Sequence, residues 1–303
     1  MARQFDDVML GSIELFCLAA ELQSFTAAAT AAGLTPAAVS RSISRLEDRM
    51  GVQLFVRTTR KIRLTDGGHA YLLQCRQALD QLAEAGRELT GLQAEPSGVL
   101  RISVPTPLGH CRVLPLLPAF RKLYPQVRVD VQLSNHNIDF LADGFDLAVR
   151  GRTPPDSSLI ARKLMDAPLV VVATPAYLAQ MGTPRSPQDL AQHECIQFTL
   201  PSTGLPIPWA LRVDGVDVDV ATQGALSCSG DVLATVTLVR AGAGLLQTYR
   251  FIVEDDLRTG ALVEVLPHCA GRSRPFSLLY PQNRHMPRRV RVFVDFLTQA
   301  LAP

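Results

Sequence analysis

Three features are scarce in this 303-residue chain, and each scarcity removes a class of protein. Long apolar runs are the first. Although 47% of the residues are hydrophobic, no window reaches the ~18 charge-free apolar residues a membrane helix needs. The longest N-terminal apolar stretch, Val8 to Ala20, contains Glu14 and follows Asp6 and Asp7. A signal peptide requires the opposite, positive flank. Paired cysteines are the second. Cys17, Cys75, Cys111, Cys195, Cys228 and Cys269 are scattered, with no C-x-x-C pair, which suits neither a zinc site nor a disulfide framework. Buried structural thiols are expected, in a soluble, cytoplasmic protein that does not engage a membrane. Catalytic constellations are the third. His110 and Cys111 are chain neighbours, no His/Asp/Glu cluster has metal-ligand spacing, and Gly242-x-Gly244 lacks the third glycine of a dinucleotide loop. No catalytic residue, metal or cofactor is expected, and the protein reads as a non-enzyme.

What is present begins with charge. The length suggests two or three domains, and the net charge of +2 is unevenly placed. Met1 to Thr65 holds eight Lys/Arg and six Asp/Glu, whereas the remainder holds twenty-two of each. Within Thr35 to Thr65, Arg41, Arg45, Arg49, Arg57, Arg60, Lys61 and Arg63 face only Glu47 and Asp48. A basic block on an otherwise balanced chain is the electrostatic footprint of phosphate binding, although a solvated face is the commoner origin of a charge run.

Local signals in this stretch are legible. Leu10, Ile13, Phe16, Cys17 and Ala20 recur at helical spacing, and an alanine-rich helix fits Thr26 to Ala32, stopped by Gly33. Thr35 is then an N-cap, Pro36 a first helical residue and Gly51 a stop. Val39, Ile43, Leu46 and Met50 fall on one face of that helix; Ala37, Arg41, Ser44 and Asp48 fall on the other, with Ser40 and Arg45 on its flanks. Two helices meeting at a tight glycine turn, the second leading with small and cationic residues, make a helix-turn-helix. Ala37 and Ala38 permit close approach, and arginines reach guanine edges or phosphates. Leu54 to Val56 and Lys61 to Leu64 read as two short strands of a basic wing around Thr58, Thr59 and Arg60.

The run from Ser24 to Gly68 resembles the winged helix-turn-helix of LysR-type transcriptional regulators. The shared features are Ser24-Phe25, the alanine-rich helix, Val39-Ser40-Arg41, Leu46-Glu47, Gly51, Leu54-Phe55 and Arg57-Thr58-Thr59-Arg60. Many members carry Ser-Gln-Pro where this chain has Thr35-Pro36-Ala37, so a glutamine that commonly reads bases is absent. The resemblance implies binding of double-stranded DNA through Ser24, Thr26, Thr35, Pro36, Ala37, Ala38, Ser40, Arg41, Ser44, Arg45, Arg57, Thr59 and Arg60. Residues 1–65 would form this domain.

From Asp66 to Gln93 there is no proline, and Leu72, Cys75, Leu79, Leu82 and Leu89 keep a helical seam in which Gly86 takes the skipped position. Packing on the chain itself and packing on a partner are both compatible with that pattern. The resemblance implies a linker helix over residues 66–95 that pairs protomers into a homodimer or homotetramer. Glu95-Pro96-Ser97-Gly98 breaks the helix.

Beyond Gly98, strands alternate with helices, which means an α/β sheet. Leu100/Ile102/Val104 and Val127 to Leu133 alternate around a helix at Arg112–Leu123. Further strands fit Leu147–Arg150, Leu159–Leu164, Leu169–Ala173, Ile196–Thr199, Gly244–Thr248, Leu262–Leu266 and Ser277–Tyr280. Helices fit Asp231–Ala241, Arg250–Leu257 and Pro287–Ala300. The loops Pro105–Gly109 and Ser227–Gly230 each precede a helix; they fit either plain capping or capture of an anion or carbonyl oxygen.

Phe145 to Arg150, Ala173-x-Pro175-Ala176-Tyr177-Leu178, Gly182-Thr183-Pro184, Trp209 and Gly260 to Pro267 resemble the effector domain of the same family. The resemblance implies a type 2 periplasmic-binding-protein-like fold over residues 96–303. One subdomain would hold about 96–166 and 275–303, the other about 167–274, with crossings near Ala167 and Arg274. A small polar or acidic effector would meet Thr106, Leu108, Gly109, Arg150, Phe198, Ser229, Gln247 and Thr248, and RNA polymerase would be a further partner. The residues alone leave a second class open: a small-molecule-binding module or enzyme whose N-terminal helices only mediate association.

Overall fold

In the computed structural model of the chain the described residues are 7–57, 62–89, 95–136, 140–151, 159–200, 203–282 and 286–301. They divide into two units, one of residues 1–95 with 139–145, the other of 96–138 with 146–303.

Capping chemistry sets the boundaries in the first unit. Helix α1 (Asp7–Leu22) is followed by α2 (Phe25–Ala32), whose N-cap Ser24 accepts from Ala27 N, and by α3 (Pro36–Met50), whose N-cap Thr35 accepts from Ala38 N. Gly33, at φ +67°, ends α2 in a left-handed turn that a side chain would strain. Strands β1 (Phe55–Arg57) and β2 (Ile62–Leu64) pair antiparallel, and α4 (Asp66–Leu89) follows. Ile13, Phe16, Val39, Ile43, Leu46, Phe55 and Leu72 share one core. Cys17 and Cys75 join α1 to α4 in that core, and their mutual hydrogen bond with burial holds the Cys17 thiol far above its ordinary value. The α4 seam therefore divides. Leu72 and Cys75 are buried against the unit's own helices, whereas Leu82 is 58% exposed.

In the second unit, β3 (Gly98–Val104) leads into a helical run. It comprises α5 (Thr106–Leu108), a π-turn at Gly109–Val113, a 3-10 turn at Leu114–Leu116 and α6 (Leu117–Leu123). The spacing places this helix at Arg112–Leu123. It begins six residues earlier and changes pitch because Pro115 and Pro118 have no N–H to donate. Next come β4 (Val127–Leu133), α7 (Phe140–Asp143, grouped with the first unit), β5 (Leu147–Arg150) and β6 (Leu159–Ala173). The following elements are α8 (Pro175–Met181), β7 (Gln197–Thr199), β8 (Trp209–Val213), β9 (Val216–Val220) and β10 (Ser227–Ser229). The chain closes with α9 (Val232–Arg240), β11 (Leu246–Tyr249), α10 (Glu254–Thr259), β12 (Val263–Val265), β13 (Ser273–Pro281) and α11 (Arg288–Ala300).

The main sheet has the order β11-β6-β13-β5-β3-β4, with β12 also on β6. Strands β3, β4 and β5 are parallel, and β13 runs antiparallel to β5 and β6. The two strands expected at Leu159–Leu164 and Leu169–Ala173 are one, β6. Pro168, between those two ranges, sits where β6 leaves β13 and takes up β11, a position that tolerates a missing ladder donor. Ala167 pairs with Arg274 at this hand-over. Leu100, Ile102, Val104, Leu147 and Phe120 form the core on one side of it, with Phe120 edge-on to Phe293 at 4.9 Å. Tyr177, Cys195, Trp209, Leu211 and Leu266 form a second cluster. Asp146 accepts from Arg101 N at 2.9 Å and pairs with Arg289, which is 4% exposed, at 3.4 Å.

Among the described residues no helix is long and apolar enough to cross a membrane. Of the six cysteines, four are buried; Cys111 and Cys228 are only half-buried, since the former lies on the π-turn and the latter on a short edge strand. Burial pushes the Cys195 thiol up to about 12, so it stays protonated and unreactive.

Candidate nucleic-acid interface and ligand cavity

On α3, Pro36, Ala37, Arg41 and Arg45 are exposed and Ala38, Ser40 and Ser44 half-buried. The Thr35 and Ser24 hydroxyls accept backbone N–H groups as caps, at 3.2 Å each, while Thr26 is exposed one residue into α2. Glu47, one of the two acids in the basic stretch, is turned inward. Its Oε1 accepts from Leu54 N at 2.8 Å and Phe55 N at 3.0 Å, which fastens the first wing strand to α3 and removes a carboxylate from the outer face. Ser42 also points inward, with its hydroxyl 2.8 Å from that of Ser12. Arg63 on β2 is exposed and extends the basic face; its place in the cationic run is the signal that marks it. The Arg57 side chain and all of Thr59 and Arg60 lie outside the described residues. The arrangement is a capped helix offering small residues and cations beside an anchored strand pair, the shape that enters a major groove.

The second unit holds a cavity of about 270 Å³. It lies beyond the carboxyl ends of parallel strands: Pro105 follows β3, Asn135 follows β4 and Arg150 ends β5. Ligands of open α/β sheets occupy that position. Phe198, Trp209, Tyr249 and Phe276 supply rings to its wall. Arg150, 8% exposed, donates through Nη1 to the Ser103 and Val149 carbonyls and through Nη2 to the Ser103 hydroxyl.

Of the residues the sequence singles out for an effector, Arg150, Phe198, Gln247 and Thr248 line this cavity. The other four do not. Leu108 is fully buried in the hydrophobic core. Gly109 is packed so closely that an added Cβ would lie 2.3 Å from Leu133 Cδ2. Thr106 exchanges hydrogen bonds with Asn135 at 3.1 Å, and Ser229 is exposed on β10. Gln247 lines the wall, yet its amide is engaged at both ends by Ala210. Sequence reasoning missed Asn135, Trp209, Arg274 and Phe276. For Trp209 and its strand a signal existed: Asp214-Gly215 between alternating apolar residues marks the β8–β9 hairpin.

A DNA-recognition head and a ligand-cavity unit in one chain define a one-component transcriptional regulator. Residues 10–69 match the profile of bacterial regulatory helix-turn-helix proteins of the lysR family, and residues 93–302 match the LysR substrate binding domain. The chain belongs to the LysR family of DNA-binding transcriptional regulators. It is 36% identical over 296 residues to the probable HTH-type transcriptional regulator LtrA of Klebsiella pneumoniae, covering 97% of this chain and 95% of that protein. It is 37% identical over 292 residues to PtxR of Pseudomonas aeruginosa, covering 96% and 93%. It is also similar to the structure of CrgA, a LysR-type transcriptional regulator from Neisseria meningitidis. There the TM-score is 0.62 and the identity 31%, covering 97% of this chain and 99% of that one.

Proposed function

We propose that the chain acts as a homodimer or homotetramer that grips an interrupted palindrome in duplex DNA and responds to a small molecule in the cavity of its second unit. Arg41, Arg45 and the small residues Ala37 and Ala38 meet base edges, Ser24, Thr26, Thr35, Pro36, Ser40 and Ser44 frame them, and Arg57, Thr59 and Arg60 hold the flanking backbone. The observation that carries this reading is the Thr35-capped α3 with its cations outward and Glu47 withdrawn beneath the wing. Protomers pair along the exposed half of the α4 seam at Leu82, and a two-fold protein suits paired half-sites. The effector binds one quaternary state better than another and so shifts the population that bends DNA and meets RNA polymerase. This is regulation by binding, without catalysis, in the cytoplasm. Selection of genomic fragments by the purified protein at physiological salt, followed by a salt titration on the best fragment, tests it. Enrichment of an interrupted palindrome with a steep salt slope is expected. Absence of salt-dependent duplex binding overturns it.

A further inference from the structure

The chemistry of the cavity wall narrows what it can hold. The wall carries two guanidinium groups, Arg150 and Arg274, and among its described residues no Asp or Glu. Arg150 is 8% exposed and gives hydrogen bonds to neutral oxygens of Ser103 and Val149. The Arg274 side chain has no hydrogen bond or ion pair to a described residue, and such a cation in the wall favours an anion beside it. The same wall disfavours amines and amino acids, whose ammonium group would be buried against arginines.

Thr248 is an independent pointer. It is 3% exposed, lines the cavity from β11, and its hydroxyl has no hydrogen-bond partner among the described residues. Buried hydroxyls are ordinarily satisfied, so this one is placed to donate to an oxygen arriving with a ligand. The rest of the wall is largely rings and aliphatic carbon: Phe198, Trp209, Phe276, Leu200 and Ile207. A volume of about 270 Å³ is nearly twice the ~150 Å³ of a cavity that admits benzene, which leaves room for one ring with its head group.

We propose that the cavity binds an aromatic monocarboxylate, its carboxylate taking the Thr248 hydroxyl and a guanidinium of the wall, and its ring lying among Phe198, Trp209 and Phe276. This rests on the reading of the cavity as the effector site. Trp209 is the single tryptophan of the chain and stands in the wall, so its fluorescence is an intrinsic reporter at this cavity.

The test titrates the full chain with phenylacetate, with its neutral near-isostere phenylacetamide and with acetate, following Trp209 fluorescence and binding heat together. Phenylacetate is expected to change the fluorescence and to bind at least tenfold more tightly than either of the others. Thr248→Val is expected to lose about tenfold in phenylacetate affinity, the size of a hydrogen bond to a charged group. Its melting temperature is expected to be no lower, because the hydroxyl it removes bonds to no described residue. Equal affinity for the amide overturns the anionic head, equal affinity for acetate overturns the ring, and no binding of any probe overturns the class. An unchanged affinity in Thr248→Val overturns the role of that hydroxyl. Binding heat without a Trp209 response overturns the assignment of the cavity itself, which is a failure of the underlying reading and separable from the others.

Discussion

Gln247 closes its side-chain amide on both polar atoms of Ala210: Oε1 accepts from Ala210 N at 2.8 Å, and Nε2 donates to Ala210 O at 2.9 Å. A residue that reads as a ligand contact is thus a bracket between β11 and β8, and it holds the Trp209 strand against the cavity. Gln247→Ala removes two hydrogen bonds and leaves the backbone of a buried alanine unpaired. A stability loss of about 2 kcal/mol is expected in denaturant unfolding. Unchanged stability with an altered ligand response would return Gln247 to the list of contact residues.

Glu47 performs a similar service for the wing, bridging α3 to the N–H groups of Leu54 and Phe55. Glu47→Ala is expected to destabilise the first unit by about 3 kcal/mol or more, since it removes two bonds and each bond to a charged acceptor contributes ~1.5–3. It is also expected to weaken binding to every DNA sequence alike. Band-shift titrations with specific and random duplexes check this, and selective loss of the specific duplex alone contradicts it.

The reading proposed above gives the cations of the head two roles. Arg41→Ala is expected to cost ~1–3 kcal/mol on the preferred site and to relax the sequence preference, as for a bidentate base contact. Arg60→Ala is expected to weaken all sequences and lower the salt slope by about one. Affinities measured at three or more salt concentrations distinguish the two, and wild-type binding by both variants removes this face from the interface.

Asp146 and Arg289 form an ion pair that is largely withdrawn from water, and the same carboxylate accepts from Arg101 N. Removing one partner of a buried pair takes a compensating charge from the other. Asp146→Ala is therefore expected to cost about 3 kcal/mol or more in the second unit. Calorimetric unfolding reads the loss, and a double replacement Asp146→Ala/Arg289→Met is expected to recover part of it.

What could be read in advance depended on how far apart in the chain the interacting groups lie. Thr35 and Ala38 are three residues apart, so the cap of α3 and the turn at Gly33 are visible as local chemistry. The recognition face follows from the same helix once its apolar stripe is known, although nothing local shows that Ser42 and Glu47 turn inward toward Ser12 and the wing. The cavity is of the other kind. Arg150 meets Ser103 across 47 positions, Gln247 meets Ala210 across 37, and Asn135 meets Thr106 across 29. Such pairs exist only after the sheet has formed, which is why local chemistry points to the loops at Thr106 and Ser229 and not to Trp209 and Arg274. Pro168 does not interrupt β6, since a missing N–H breaks a strand only where the ladder requires that donor.

The core of the DNA-reading head and the start of the seam proposed to pair protomers lie on the same helix, since α4 contributes Leu72 and Cys75 to one and exposes Leu82 for the other. The head shares its core with this helix. It is mounted on a rod of 24 residues, which at ~1.5 Å per residue is about 36 Å long. Such a rod measures in two coordinates at once. One residue inserted between Leu79 and Leu82 would lengthen it by ~1.5 Å and rotate the outer stripe by ~100°, whereas seven would nearly restore the heading. With protomers paired there as proposed, the spacing between the two halves of the DNA site would be written in helical phase as much as in length.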